Sequence, residues 1–113
     1  MQDALCCYQR LLAHFAPEKL VLVGESAGGG LLFSLCLLAK RHGLPLPGGL
    51  VAISPWVDLT DSGASFAENA AHDPSLNKEK LDHYAQLYAS DLRDPLVSPL
   101  FGDLAGLPES LLF

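Results

Sequence analysis

The chain lacks the features that proteins require in order to bind nucleic acid, span membranes or depend on disulfides. Its 7 Lys and Arg residues are outnumbered by 13 Asp and Glu residues, so no positive patch is available for a phosphate backbone. No apolar run approaches the roughly 18 residues of a membrane-spanning helix. The 3 cysteines are too few for a disulfide framework and follow no zinc-binding spacing. We therefore expect no nucleic-acid partner, no membrane span and no metal.

Two further absences bear on location and folding. The N-terminus has no basic segment followed by an apolar one, as a secretory signal requires, and this favours the cytoplasm, as do the unpaired thiols. Charged residues make up only 18% of the 113 residues and hydrophobic residues 50%, which is not typical of a disordered chain. The length suffices for one small domain or for a piece of one.

The apolar pattern predicts an α/β fold with a parallel sheet and flanking helices. Unbroken aliphatic runs at 20–23 and 50–53 are typical of parallel strands covered on both faces, the first of them a central strand. Helices are predicted over 3–15 and 31–42, so strand, helix and strand form one βαβ unit. A third strand begins at 111. Between these segments we expect a loop and a surface helix, with start signals at Asp73, Pro74 and Ser75 and an apolar face of Leu81, Tyr84, Leu87 and Tyr88.

One sequence motif is typical of a catalytic site. Residues 24–28, Gly-Glu-Ser-Ala-Gly, match the GxSxG nucleophile elbow and lie between a predicted strand and a predicted helix, as that motif requires. A serine on this sharp turn projects its hydroxyl above the sheet, which makes Ser26 the candidate nucleophile. Gly24 and Gly28 are candidate structural residues because they leave room for neighbouring segments. The backbone N–H of Ala27, at the helix N-terminus, is the candidate oxyanion donor.

Two non-catalytic interpretations of the same segment remain open. Ser26 could cap the helix after a glycine-rich turn, or the turn could bind a phosphate. The phosphate interpretation is the weaker of the two, because neither GxGxxG nor GxxxxGK[ST] occurs in the sequence.

Four histidines are candidates for a catalytic base, and none has a strong signal. His14 and His42 lie near helix ends, where a surface role is favoured. His72 and His83 follow the second strand and are slightly better placed, although a solvated helix face is still the favoured interpretation.

Several other residues have structural roles as their favoured interpretation. Asp58 and Asp61 follow a strand end, where open α/β sheets bind ligands, but turn capping explains both adequately. Trp56 either packs beneath the elbow or lines an acyl pocket, and packing is favoured. Cys36, on the buried helix, is expected to be inert.

Three segments together resemble one known family: 24–30 (GESAGGG), 53–60 (ISPWVDLT) and 94–100 (DPLVSPL). In order and spacing they resemble the hormone-sensitive-lipase-like branch of the α/β-hydrolases. The resemblance implies a serine esterase or lipase that hydrolyses small-molecule carboxylic esters through Ser26, without a metal or an organic cofactor. It also implies that 1–113 is the central part of a single α/β-hydrolase domain, a partial fold that is incomplete at both ends.

That family also needs groups that this sequence does not match. They are an HGG-type oxyanion loop upstream, and an acid and a histidine after later strands. Glu25 stands where Asp is commoner in this branch. A serine without a base is a poor nucleophile, so the chain alone is expected to be nearly inactive. Two alternatives remain. One is a non-catalytic truncated paralogue that acts as an interaction module and self-associates through exposed sheet edges. The other is an acyltransferase or peptidase with the same nucleophile.

Overall fold

Three parallel strands and four helices form the part of the chain that the structure, a computed structural model, describes: residues 1–73 and 76–113. The helices and strands are α1 Gln2–Leu12, β1 Val21–Glu25, α2 Ala27–Arg41, β2 Gly49–Ile53, α3 Ala64–Glu68, α4 Lys78–Tyr88 and β3 Ser110–Leu112. The sheet has the order β1-β2-β3, and Val21 and Leu50 lie opposite Gly49 and Ser110 respectively. Short 3-10 turns precede β1 and follow α4. The predicted α/β class and the parallel sheet are confirmed.

The core lies on one face of the sheet, between the strands and α2. Leu50 of β2 packs with Leu32 and Cys36 of α2, and α1 adds Tyr8 to a second buried cluster on α2. The Tyr8 hydroxyl donates a hydrogen bond of 2.8 Å to the Pro45 carbonyl oxygen. Burial, and to a lesser degree the neighbouring Cys36, raises the pKa of Tyr8 to about 12. These contacts fix the helix that begins at the elbow.

The opposite face of the sheet is uncovered among the described residues. Val21 and Val23 of β1 are 58% and 64% exposed, and Leu111 of β3 is also exposed. The expectation that the first strand is central and covered on both faces is therefore wrong for this chain, in which β1 is an edge strand. The physical reason is that α1 and α2 cover only the side to which Leu22 and Leu50 belong.

The helix boundaries differ from those predicted. The first helix ends at Leu12, three residues early, where the Ala13 N–H turns back to the Arg10 carbonyl. The second begins at Ala27, four residues early, because residues 28–30 continue the helix and the Gly30 N–H donates to the Ser26 carbonyl. The sequence pattern did not predict α3. No described helix is both long and apolar enough to cross a bilayer.

The predicted apolar face of the surface helix is partly wrong. Leu81 and Ala85, one turn apart, are the buried residues of α4. Tyr84 and Tyr88 are about half exposed and Leu87 is 73% exposed. The helix begins after Asn77, whose side-chain oxygen accepts from the Lys80 N–H at 2.9 Å. Of the predicted start signals, Pro74 and Ser75 lie outside the described residues.

Candidate active site

Ser26 occupies a sharp turn between β1 and α2. Its φ of 53° and ψ of −122° lie outside the regions that non-glycine residues favour, so the turn stores backbone strain. The Ser26 N–H donates to the Ile53 carbonyl of β2 at 2.9 Å. The Ser26 carbonyl accepts from the Trp56 N–H at 2.9 Å and from the Gly30 N–H at 3.1 Å. Three hydrogen bonds thus hold this strained backbone in place.

The elbow requires glycine at some of its positions only. A Cβ atom on Gly24 would lie 2.5 Å from the Gly28 carbonyl oxygen, and one on Gly30 would overlap the Trp56 carbonyl. At Gly28 a Cβ atom would meet nothing within 4 Å among the described residues. Close backbone packing therefore explains Gly24 and Gly30, whereas the described part of the chain gives no steric reason for Gly28.

The helix that follows Ser26 presents free N–H groups to the site. Ala27 is the first residue of α2, and the first N–H groups of a helix have no acceptor within it. The positive end of the helix dipole lies at the same place and favours negative charge. Ser26 itself is exposed and lines a cavity of about 620 Å³. A hydroxyl group and an anion-stabilising helix end therefore lie side by side.

The loop after β2 is organised around Asp58. Its carboxylate accepts from the backbone and hydroxyl groups of Thr60 at 2.8 and 2.6 Å, and from those of Ser62 at 3.0 and 2.6 Å. Partial burial opposes ionisation, but these donors outweigh it and hold the pKa of Asp58 below its usual value. The predicted capping geometry is present, because Asp58 holds the turn closed.

The same loop is tied to the later segment 94–100. The hydroxyl oxygen of Ser98, fully buried, accepts from the Leu59 N–H at 2.8 Å. The Leu100 N–H donates to the Val57 carbonyl at 3.1 Å. Two of the three segments that carry the family resemblance are therefore in direct contact. Residue spacing alone had no signal for this pairing of residues 39 positions apart.

Asp61 stands in contrast to Asp58. One of its oxygens accepts from Trp56 Nε1 at 3.3 Å, whereas Oδ2 is buried and has no hydrogen-bond partner among the described residues. Its φ of 52° is again in the left-handed region. Burial, only partly offset by the Trp56 hydrogen bond and the charge of Lys78, raises the pKa of Asp61 above its usual value. Among the described residues no backbone N–H donates to the Asp61 carboxylate, so the capping role predicted for Asp61 is not observed.

Comparison with known proteins decides the family. A family model described as the alpha/beta hydrolase fold matches residues 1–113. The chain belongs to the α/β-hydrolase family. An acetyl-hydrolase of Streptomyces hygroscopicus is 39% identical to this chain over 115 residues, which cover 99% of the chain and 38% of that protein. An esterase of Acinetobacter venetianus is 38% identical over 109 residues, covering 93% of the chain and 36% of that protein.

Solved structures agree with this assignment. The crystal structure of an esterase from the bacterial hormone-sensitive lipase family is 43% identical to the chain, with a TM-score of 0.93. The similarity covers 98% of this chain and 38% of that one. The resemblance to the hormone-sensitive-lipase-like branch is confirmed. The chain spans only 36% to 38% of the length of these three relatives.

The structure does not bring a histidine to Ser26 within the described part of this chain. His14, His42, His72 and His83 are all exposed, and the cavity beside Ser26 has none of them in its lining. No described residue hydrogen-bonds the Ser26 hydroxyl. Residues 1–73 and 76–113 contain no group of three or more side chains suited to a metal ion. Burial raises the pKa of Cys36 to about 11, which keeps this thiol protonated and agrees with the expected inertness.

Proposed function

We propose that this chain carries the nucleophile of a serine hydrolase acting on carboxylic esters, and that Ser26 is that nucleophile. One observation carries the proposal: Ser26 is held in a strained conformation at a strand-to-helix turn and opens on a cavity. Strain of this kind persists only where the surroundings impose it, and it clusters at active sites. Relatives named esterase and acetyl-hydrolase support ester chemistry.

Each group of the elbow has a role in the proposed reaction. Ser26 Oγ attacks the ester carbonyl carbon while its proton passes to a base, and the carbonyl oxygen becomes an oxyanion. The Ala27 N–H, at the N-terminus of α2, donates a hydrogen bond to that oxyanion. Collapse of the tetrahedral intermediate expels the alcohol, and water then releases the acid from the acylated serine. Glycine at position 24 lets the turn close, whereas the described residues leave room for a Cβ atom at position 28.

The remaining groups are proposed to lie outside these 113 residues. No described histidine lies beside Ser26, and the chain spans 38% of the bacterial hormone-sensitive-lipase-family esterase. We assign the histidine, its acidic partner and a second oxyanion loop to other parts of the complete polypeptide. Because a serine that lacks its base loses several orders of magnitude in rate, the 113 residues alone are expected to be nearly inactive.

A fluorophosphonate probe, which labels activated serines, tests the proposal on the complete polypeptide that carries these residues. We expect labelling of the wild type and its loss in Ser26→Ala. The matched control is Ser54→Ala, since Ser54 lines the same cavity and also has a positive φ, of 42°. Equal loss in both variants, or a folded wild type that stays unlabelled, contradicts the proposal. Competing acyl acceptors in the ester assay distinguish hydrolysis from acyl transfer.

A non-catalytic interaction module is the second candidate function, and the uncovered sheet face favours it. Val21 and Val23 expose apolar surface, and β1 and β3 each have an edge without a partner strand among the described residues. Such edges pair with other chains, here a second copy. A compact monomer in size-exclusion chromatography would count against it.

The thiols support a cytoplasmic location as part of the proposal. Cys6 and Cys7 are exposed and free, which suits a reducing compartment.

A further inference from the structure

Two exposed thiols stand side by side on α1. Cys6 and Cys7 are consecutive residues, and both are exposed and free among the described residues, whereas Cys36 is only 1% exposed. Cysteine is among the residue types that proteins bury most often, so two adjacent exposed cysteines are unusual. Neither of them lines a cavity beside the elbow. The pair therefore has no part in the site that contains Ser26.

The residues on either side of the pair hold it on the surface. Leu5 and Tyr8 are 5% and 2% exposed and belong to the buried cluster that joins α1 to α2. The Tyr8 hydroxyl also donates to the Pro45 carbonyl oxygen at 2.8 Å. Because the helix is anchored in the core both before and after the pair, it cannot rotate to bury either thiol. Cys6 and Cys7 are therefore presented together at one fixed place.

The geometry of a helix opposes a disulfide between the two cysteines. The Cα atoms of consecutive residues lie about 3.8 Å apart, whereas a disulfide usually joins Cα atoms that are roughly 4.4 to 6.8 Å apart. With about 3.6 residues per turn, the two side chains also leave the helix in directions about 100° apart. While α1 is helical, the pair therefore remains two separate thiols that can hold one atom between them.

The number of ligands decides which cation suits the pair. The described ranges 1–73 and 76–113 contain no group of three or more His, Cys, Asp or Glu side chains suited to a metal ion. Structural zinc takes four ligands, and iron–sulfur clusters are held by four thiolates, so neither suits two sulfur atoms. Cu(I) prefers soft thiolate ligands and is satisfied by two of them. A soft cation of this class therefore fits the pair.

The charges near the pair also bear on binding. Arg10 lies one helical turn after Cys6 and Cys7, and residues at this spacing are neighbours on a helix surface. Asp3 lies one turn before the pair. Helical side chains lean towards the N-terminus, so Arg10 covers the turn that holds the pair, whereas Asp3 leans away from it. A complex of one monovalent cation with two thiolates carries one negative charge, which the Arg10 guanidinium offsets.

We propose that Cys6 and Cys7 together form a binding site for one soft monovalent cation of the Cu(I) class. Two sulfur–copper bonds form, and the two thiol protons pass to water, with no change in the oxidation state of sulfur or copper. The site lies on the outer face of α1 and is independent of ester hydrolysis at Ser26.

Competition with bicinchoninate, a coloured chelator of Cu(I), tests this site under nitrogen on the complete polypeptide that carries these residues. Cys6→Ser and Cys7→Ser should each lose one bound Cu(I) per chain, and the double variant should lose no more than either single variant. The affinity should fall by at least about 100-fold, since loss of a group that merely supports a metal ligand already costs roughly 10- to 100-fold. Cys36→Ala is the matched control and should keep the wild-type stoichiometry, because it removes a buried thiol.

Three results would overturn the shared site. Wild-type binding in either single serine variant would show that one of the thiols is not a ligand. A double variant that loses two equivalents of Cu(I) would show two independent thiols. A dimer that forms only with Cu(I), seen by size-exclusion chromatography, would show that the cation bridges two copies of the chain. Circular dichroism of the serine variants checks that α1 is still folded, as expected for substitutions of exposed residues.

Discussion

The segments that follow β1 and β2 both hold a serine at a positive φ, but different interactions fix their backbones. Ser26 and Ser54 both have positive φ values, of 53° and 42°. The Ser26 N–H donates to the carbonyl of Ile53, the last residue of β2, and the Ser54 N–H donates to the carbonyl of Phe113, the residue after β3. The first turn is fixed by glycines that let backbone approach backbone. The loop that continues from the second turn is closed by the carboxylate of Asp58, which accepts four hydrogen bonds from Thr60 and Ser62. Steric fixation is insensitive to pH but intolerant of added atoms, whereas hydrogen-bonded fixation should respond to both charge and pH.

The largest loss of unfolding free energy is expected from adding one methyl group to the elbow. Gly30→Ala places a Cβ atom against the Trp56 carbonyl, which is backbone and cannot move aside. Overpacking of this kind costs up to about 3 kcal/mol of unfolding free energy. Gly28→Ala is the matched control, because the described residues leave its Cβ free and alanine favours a helix. Urea denaturation of both variants checks this, and equal stabilities would refute steric fixation of the elbow.

The elbow was predictable because its signal is local, and the rest of the site was less so. The GxSxG motif after an aliphatic run predicts the position of the elbow, whereas the predicted start of α2 is four residues late, because three consecutive glycines are poor helix formers. Their glycine identity is explained at Gly30 by contact with Trp56. That contact joins distant parts of the chain, and no local pattern reports it.

The sheet shows the same limit of sequence reasoning. Unbroken aliphatic runs correctly predicted the strands, because parallel strands lack the alternation of half-exposed ones. They did not predict that Val21 and Val23 are exposed. An aliphatic run indicates that a strand can be covered on both faces, but it does not indicate which segments cover it. The sequence also contains no indication of the hydrogen bond from the Leu59 N–H to Ser98, because no regular spacing relates these two residues.

A smaller loss of unfolding free energy is expected from substitutions of Asp58 in the loop after β2. Asp58→Ala removes the acceptor of four hydrogen bonds and should cost about 2 kcal/mol of unfolding free energy. Asp58→Asn keeps one acceptor oxygen, so it should satisfy either Thr60 or Ser62 and lose about half as much. Denaturation at neutral pH measures both. If Asp58→Ala were as stable as the wild type, hydrogen bonds would not be what holds this turn.

The smallest expected change in stability comes from the two aspartates of the loop after β2. Their contributions to the free energy of unfolding depend on pH with opposite signs. The lowered pKa of Asp58 means that its stabilising contribution is present above the unfolded value of about 3.9 and is lost as the pH falls through the folded pKa. The raised pKa of Asp61 means the reverse: its contribution is greatest below that unfolded value and is lost as the pH rises through the folded pKa.

Asparagine substitutions convert this difference into a measurement. Because ionised Asp61 is unfavourable in the folded state, Asp61→Asn should stabilise the protein slightly at pH 7, by roughly a few tenths of a kcal/mol after solvent screening. That gain should shrink as the pH falls towards 4, whereas the deficit of Asp58→Asn should shrink only at lower pH still. Denaturation from pH 3 to pH 8 follows both variants. A loss of stability in Asp61→Asn at pH 7 would show that the carboxylate has a favourable partner, and the contrast within this loop would then be one of degree and not of sign.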